Sequence, residues 1–172
     1  MPLSLRSSID IQAPIQEVYA VIAAPERLPE WNGSIEAARR CEPDAPVALG
    51  SRAVVQGRLL GQSIESETEV VICCPPTEFA TRAIRGPRLV TRFKLASQVD
   101  GTHVDVDVVG EVPGGTLGAR LAEGFLRTEF ASSLQRLKQM VEREARQRAA
   151  DEPRQGGDPA CWRHLQDQPE AQ

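Results

Sequence analysis

Hydrophobic and polar positions follow three successive patterns along this chain. Over residues 3–12 nearly every second residue is apolar, which predicts a half-buried β-strand. Pro14 is typical of a helix start, and apolar residues then recur at helical spacing to residue 22. A second helical piece over residues 25–30 runs into a turn signal that contains Trp31. We therefore expect one strand followed by two short helices.

The middle of the chain carries short alternating segments separated by Pro, Gly and Asp. They predict six consecutive strands, over residues 35–41, 51–60, 64–73, 78–84, 89–97 and 102–112. Because the connections between them are short, the strands should form an antiparallel meander with one dry face and one wet face.

The last pattern is one long helix over residues 116–146. It contains no Pro, and Pro113, Gly114 and Gly115 precede it as a turn. At about 100° per residue, one stripe of the helix carries Ala119, Ala122, Glu123, Leu126, Phe130, Ser133, Leu134, Leu137 and Val141. This face is predicted to be buried, and a helix of roughly 45 Å needs a sheet to cover it.

Composition bounds the number of domains. With 172 residues, 41% of them hydrophobic, the chain can bury one good core. We predict one domain over residues 1–148. Residues 149–172 are rich in Asp, Glu, Pro, Gln and Gly, so we expect a disordered tail there. The sequence assigns no role to Cys161 and Trp162 in that tail.

Charge and hydropathy restrict the partners. A net charge of -4 argues against a nucleic-acid surface, which needs a basic excess. No apolar run is long enough to span a membrane, and residues 1–6 lack the pattern of an export signal. We expect a cytoplasmic protein, either a monomer or a homodimer.

The metal-binding residue types are few. None of the four cysteines forms a C-x-x-C pair, and the adjacent Cys73 and Cys74 should point to opposite faces of a strand. His103 shares a strand face with Asp105 and Asp107, where solvated polar residues are far commoner than a metal site. We predict reduced thiols, no metal and no cofactor.

Two segments near the N-terminus resemble a known family. The sequences of residues 13–22 (APIQEVYAVI) and 25–31 (PERLPEW) are similar to the opening of the START/Bet v 1-like superfamily, also called SRPBCC or polyketide cyclase/dehydrase-like. The turns at residues 100–102 and 113–115 fit as well, and the resemblance covers about residues 3–145. It implies an α+β helix-grip fold, in which a curved antiparallel sheet of about seven strands surrounds the long C-terminal helix. Two short helices follow strand one.

The resemblance also implies a cavity between sheet and helix for an apolar small molecule or lipid. The residues that we expect around it are Trp31, Thr68, Val70, Phe79, Thr81, Thr91, Phe93, Glu123, Leu126 and Phe130. The same residues also fit a filled core. Threonines among the large side chains, and an aromatic content of only 4%, favour a hollow interior.

Glu123 is the residue that breaks the apolar stripe of the last helix. A buried carboxylate must be paired, hydrated or neutral. It is either a polar anchor or general acid/base at the cavity, or a side chain that reaches solvent. It is the only catalytic candidate, because no histidine falls on a dry face and no nucleophile–base pair is present.

Three functions fit these observations. The first is a carrier, sensor or accessory protein that binds a hydrophobic ligand. The second is a polyketide cyclase/dehydrase-like enzyme with Glu123 as acid/base and Thr68 or Thr81 orienting the substrate. The third is a protein-interaction or stress-related domain. The sequence identifies neither the ligand nor whether the cavity is open.

Overall fold

The computed structural model describes residues 2–59, 61–111 and 116–152. The strands of this part are β1 (Pro2–Ile11), β2 (Ile35–Arg40), β3 (Arg52–Leu59), β4 (Gln62–Cys74), β5 (Glu78–Arg85), β6 (Leu89–Gln98) and β7 (Gly101–Glu111). The helices are α1 (Ile15–Ile22), a 3-10 turn (Pro25–Arg27), α2 (Leu28–Trp31) and α3 (Thr116–Asp151). The predicted order of elements is confirmed. The turn that we predicted at residues 113–115 lies outside the described residues.

All neighbouring strands of the sheet are antiparallel. Their order is β1-β7-β6-β5-β4-β3-β2, so the first strand of the chain closes against the last. Leu5 lies opposite Val108, and Ile9 lies opposite Val104, so the apolar positions of both strands share one face. The chain passes from β1 at one edge to β2 at the other edge through the two short helices. This arrangement is the helix-grip fold that the family resemblance implied.

The helix α3 is held along its second half. Leu134, Leu137 and Val141 are buried there, as the sequence predicted for one face, and Met140 is buried beside them. Leu121, five residues before the first described cavity residue of the helix, is 67% exposed. The side chains of Ala119 and Ala122, which we placed on the same stripe, are not among those that the structure describes.

The end of α3 extends further than expected. The helix continues to Asp151, five residues beyond the predicted end at residue 146 and three beyond our domain boundary at residue 148. Residues 153–172, including Cys161 and Trp162, lie outside the described part of the chain, and the division into domain and tail stays a prediction. None of the described helices is both long and apolar enough to cross a membrane.

Ion pairs attach the short helices to α3. One nitrogen of Arg27 lies 2.5 Å from Glu144 and 2.8 Å from Glu30, and Arg148 pairs with Glu17 at 3.0 Å. The hydrogen bond from Arg27 lowers the pKa of the Glu144 carboxyl. A lowered pKa adds stability that is present above the unfolded-state value of 4.5 and is lost as pH falls through the folded-state pKa.

We predict that Glu144→Gln destabilises the protein in a pH-dependent way. Both partners of the Arg27–Glu144 pair are partly buried, so the loss at neutral pH should be about 1 kcal/mol. Urea unfolding should show the difference from the parent protein shrinking as pH falls below 4.5.

The matched control is Glu123→Gln, on the same helix. Its partner is the exposed Arg127, four residues away, so the loss should stay below about 0.5 kcal/mol. Equal losses in the two variants, or a loss for Glu144→Gln that does not change with pH, would contradict the anchoring role.

Candidate functional site

A cavity of about 230 Å³ lies between the sheet and the part of α3 that begins at Leu126. Its volume corresponds to roughly seven or eight water molecules at about 30 Å³ each. Apolar side chains from the sheet and all three helices form most of its lining: Leu3, Leu5, Ile22, Pro25, Leu28, Trp31, Ile35, Val55, Leu59, Ile64, Phe79, Ala83, Pro87, Leu89, Phe93, Val108, Leu126 and Phe130.

The pairing of β5 and β6 builds the floor of the cavity. Phe79, Thr81 and Ala83 alternate along β5, so all three face inward. Phe79 is paired with Phe93 across the two strands, and Thr81 is paired with Thr91. The floor therefore has an aromatic row beside a row of two threonines.

The floor threonines differ from the other hydroxyl residues of the cavity. Thr68 donates to the carbonyl oxygen of Ala53 at 3.4 Å, and Ser66 donates to that of Arg85 at 3.0 Å. For Thr81 and Thr91 we find no hydrogen bond to any described residue. Their hydroxyl groups are thus available to a ligand or to water.

Trp31 closes one wall and carries an unsatisfied donor. Its side chain is 1% exposed, and its ring meets that of Phe93 edge to face, with centroids 6.3 Å apart. The buried indole Nε1 has no acceptor among the described residues. Leaving such a group unpaired costs about 1–3 kcal/mol.

Four further polar side chains of the lining gather where the loop after α2 meets α3. Ser34 Oγ lies 3.5 Å from Glu129 Oε2, and the backbone N–H of Gly33 donates to Ser133 Oγ at 3.4 Å. The Asn32 side chain accepts from the backbone N–H of Ser34 at 3.1 Å. We call these four side chains, Asn32, Ser34, Glu129 and Ser133, the polar end of the cavity.

A glycine on β3 lets the loop approach the cavity rim. A Cβ at Gly57 would lie 2.1 Å from the carbonyl oxygen of Ser34, so any other residue would push the loop away. The backbone N–H of Arg58 donates to that same oxygen at 2.8 Å. The position of Ser34 is therefore fixed by β3 as well as by its own loop.

The structure brings most of the residues expected from the sequence to this cavity. Those that line it are Trp31, Thr68, Phe79, Thr81, Thr91, Phe93, Leu126 and Phe130. Val70 is elsewhere, in the packed core, where it is paired with Thr81 on the neighbouring strand. That these residues bind a ligand stays a prediction.

Glu123 lies outside the cavity lining. Its side chain is 41% exposed and pairs with Arg127 at 3.0 Å. The helical wheel placed it on the same stripe as Phe130, but it lies one turn before Leu126, the first described residue of α3 at the cavity. Of the two positions that the sequence left open for Glu123, the structure shows the one that reaches solvent.

Sequence reasoning missed Glu129, the one carboxylate among the described residues of the lining. It lies at the edge of the apolar stripe, three residues after Leu126 and four before Ser133. Those spacings put it beside two members of the stripe on the helix surface, and this was a usable signal. The signal is weak because the Glu129 side chain does not lie at the centre of the stripe.

The polar residues considered for a metal face away from the cavity. His103 Nδ1 lies 2.6 Å from Asp10 and its Nε2 lies 3.4 Å from Asp105, while Asp107 pairs with Arg6 at 2.6 Å. The hydrogen bond to Asp10 raises the pKa of His103. In the described part of the chain, no three His, Cys, Asp or Glu residues are placed to hold a metal ion.

A curved seven-stranded sheet around a C-terminal helix, with a largely apolar cavity between them, defines a helix-grip protein. The chain belongs to the family described as polyketide cyclase / dehydrase and lipid transport, whose model matches residues 2–142. The resemblance to the START/Bet v 1-like superfamily is confirmed. No curated protein matches this chain in sequence.

Solved structures share the fold at low identity. TTHA0849 from Thermus thermophilus is 17% identical, with a TM-score of 0.69 over 80% of this chain and 96% of its own. A START superfamily protein from Mycobacterium smegmatis is 19% identical, with a TM-score of 0.59 over 84% of this chain and 97% of its own. The di-domain ARO/CYC protein BexL, from the BE-7585A biosynthetic pathway, is 19% identical with a TM-score of 0.63; the match covers 84% of this chain and 50% of BexL.

We predict that a threonine-to-valine substitution costs less stability in the cavity floor than in the packed core. Thr102 is 1% exposed and donates to the carbonyl oxygen of Ala13 at 2.8 Å. Thr102→Val should therefore cost about 1–3 kcal/mol, because it leaves a buried acceptor unpaired. Thr91→Val has the same shape change but removes no hydrogen bond to a described residue, and should stay within about 0.5 kcal/mol.

Urea unfolding measures both variants against the parent protein. A cost for Thr91→Val as large as that for Thr102→Val would mean that the Thr91 hydroxyl forms a hydrogen bond within the protein. The floor hydroxyls would then not be available to a ligand.

Proposed function

We propose that the protein binds one apolar small molecule or lipid in this cavity and acts as a carrier, a sensor or an accessory protein. The observation that supports the proposal most directly is a cavity of about 230 Å³ whose lining is mostly apolar. Apolar surface around a hollow is unfavourable in water, and a ligand of matching shape removes that surface from solvent. The description of the matching family names lipid transport, which agrees with this use of the cavity.

The size of the cavity restricts the ligand. Ligand pockets commonly have about 300–1,000 Å³, so this one suits a compact molecule or the end of a longer chain. The floor threonines and the polar end lie on different elements of the lining. A ligand with an apolar body and one polar group would match the apolar lining and one of these two polar sets.

Catalysis is the second candidate, and one observation favours it. A cyclase or dehydrase needs an acid/base group within hydrogen-bond reach of the substrate. Glu123, the candidate from the sequence, lies outside the lining, but the Glu129 carboxylate lines the cavity together with hydroxyl groups. A bound compound that is chemically converted by the purified protein, and not by Glu129→Gln, would support this alternative.

The third candidate, a protein-facing task, has a simple discriminating observation. A protein that self-associates or captures partners at full strength without any small molecule would favour it. A protein that purifies with a stoichiometric apolar compound would favour the carrier.

Native mass spectrometry of the protein purified from its own organism tests the proposal directly. Denaturing extraction then identifies whatever compound was bound. We expect one apolar compound per chain. Bare protein, both as purified and after incubation with an extract of cell lipids and metabolites, would overturn the proposal.

We predict that filling the cavity abolishes binding. Ala83 lines the floor next to Thr81, so Ala83→Phe places a ring inside the cavity. Binding of the uncharged dye N-phenylnaphthylamine, followed by its fluorescence, should weaken at least about tenfold, equivalent to about 1.4 kcal/mol.

The matched control is Ala96→Phe, since Ala96 is exposed and pairs with His103 on the outer face of the sheet. It should change the affinity less than about twofold. Dye binding that survives Ala83→Phe in a protein with a normal unfolding transition would place the dye elsewhere and count against the cavity.

A further inference from the structure

The charges at the cavity restrict which polar group a ligand can carry. Only two ionisable side chains, Glu129 and Arg58, are among the described lining residues. The guanidinium of Arg58 is already paired with Glu36 at 2.7 Å, and its backbone N–H is used by the loop. Glu129 forms no ion pair with any described residue. The cavity therefore presents one carboxylate with which no described cation is directly paired.

The Glu129 carboxylate also has unused hydrogen-bonding capacity. An ionised carboxylate can accept about four hydrogen bonds. Among the described residues its one donor is Ser34 Oγ, at 3.5 Å, which is at the long limit for such a bond. A polar ligand group beside it must donate a hydrogen bond to be bound favourably. A ligand carboxylate or phosphate would instead bring like charges together, which costs free energy in a mostly apolar environment.

Two kinds of ligand group can supply this donor. A hydroxyl group can donate a hydrogen bond to a carboxylate. An ammonium group can only donate, but it also gains charge attraction to the carboxylate.

We infer that the cavity selects ligands whose apolar body ends in a hydrogen-bond donor, a hydroxyl or an amine, and that Glu129 excludes anionic ligands such as fatty acids. The inference rests on the proposed binding function and names the ligand class for that site. Glu129 discriminates between ligand head groups, while the apolar walls supply most of the affinity.

The test uses three probes with one apolar body and different head groups: octylamine, octanol and octanoate. Their affinities are measured by displacement of N-phenylnaphthylamine at neutral pH. We expect octylamine and octanol to bind at least about tenfold more tightly than octanoate, equivalent to about 1.4 kcal/mol. The two favoured probes distinguish a charged donor from a neutral one.

Glu129→Gln keeps the shape of the side chain and removes its charge. It should improve octanoate binding about tenfold and weaken octylamine binding by a similar factor. Octanol should change less than about threefold, because the amide oxygen still accepts a hydrogen bond.

Glu123→Gln is the control for net charge. It removes one negative charge from the same helix but outside the cavity, so the octanoate-to-octylamine preference should remain that of the parent protein. A preference that changes equally in both variants would show a general effect of net charge and overturn the role of Glu129.

Failure of the two proposals can be told apart. If all three probes bind with equal affinity and Glu129→Gln changes none of them, the head-group inference is wrong and the binding function stands. If neither the dye nor any probe binds the folded protein, the binding function fails, and the head-group inference fails with it.

Discussion

The structure depends on a difference in length between one long helix and the strands of the sheet that holds it. The helix α3 has 36 residues and is about 54 Å long at about 1.5 Å per residue. The longest strand has 13 residues, roughly 43 Å at about 3.3 Å per residue, and β2 has 6. The sheet therefore cannot cover the whole helix. Close packing at Leu134, Leu137 and Val141 fixes the second half, and the cavity opens beside the preceding turns.

Polar contacts reinforce the same end of the helix. Lys138 donates to the carbonyl oxygen of Asp10 at 2.6 Å, and Glu142 accepts from the backbone N–H of Gln12 at 2.9 Å. Both contacts hold α3 against the end of β1. Together with the pair between Arg27 and Glu144, they tie the helix to the beginning of the chain. The grip is thus made by long-range contacts between the first and last described elements.

Most of the fold could be predicted because its signals are local. The alternation of Val104 and Val106 with Asp105 in β7 has a period of two, and a one-residue slip would expose the apolar face. Leu134, Leu137 and Val141 have helical spacing, and their burial follows from that spacing alone. The family resemblance then supplied the arrangement of the elements, which no local pattern contains.

The candidate site could be predicted only in part. A helical wheel gives the direction of a side chain around the helix but not its position along the helix axis. Glu123 and Phe130 have nearly the same direction on the wheel, yet only Phe130 lines the cavity. Which turn of α3 meets the cavity depends on where the sheet ends, and this is a property of the assembled fold. Val70 shows the corresponding limit for strands, since facing inward does not distinguish the packed core from the cavity wall.

The location of Glu129 has a consequence for how this fold can change its ligand. The residues that hold α3, from Leu134 onward, are separate from those that face the cavity, from Leu126 to Ser133. The loop from Asn32 to Ser34 adds the other polar groups, and loops tolerate substitution better than packed strands. Head-group selectivity can therefore change through Glu129 without altering the packing of α3 from Leu134 onward.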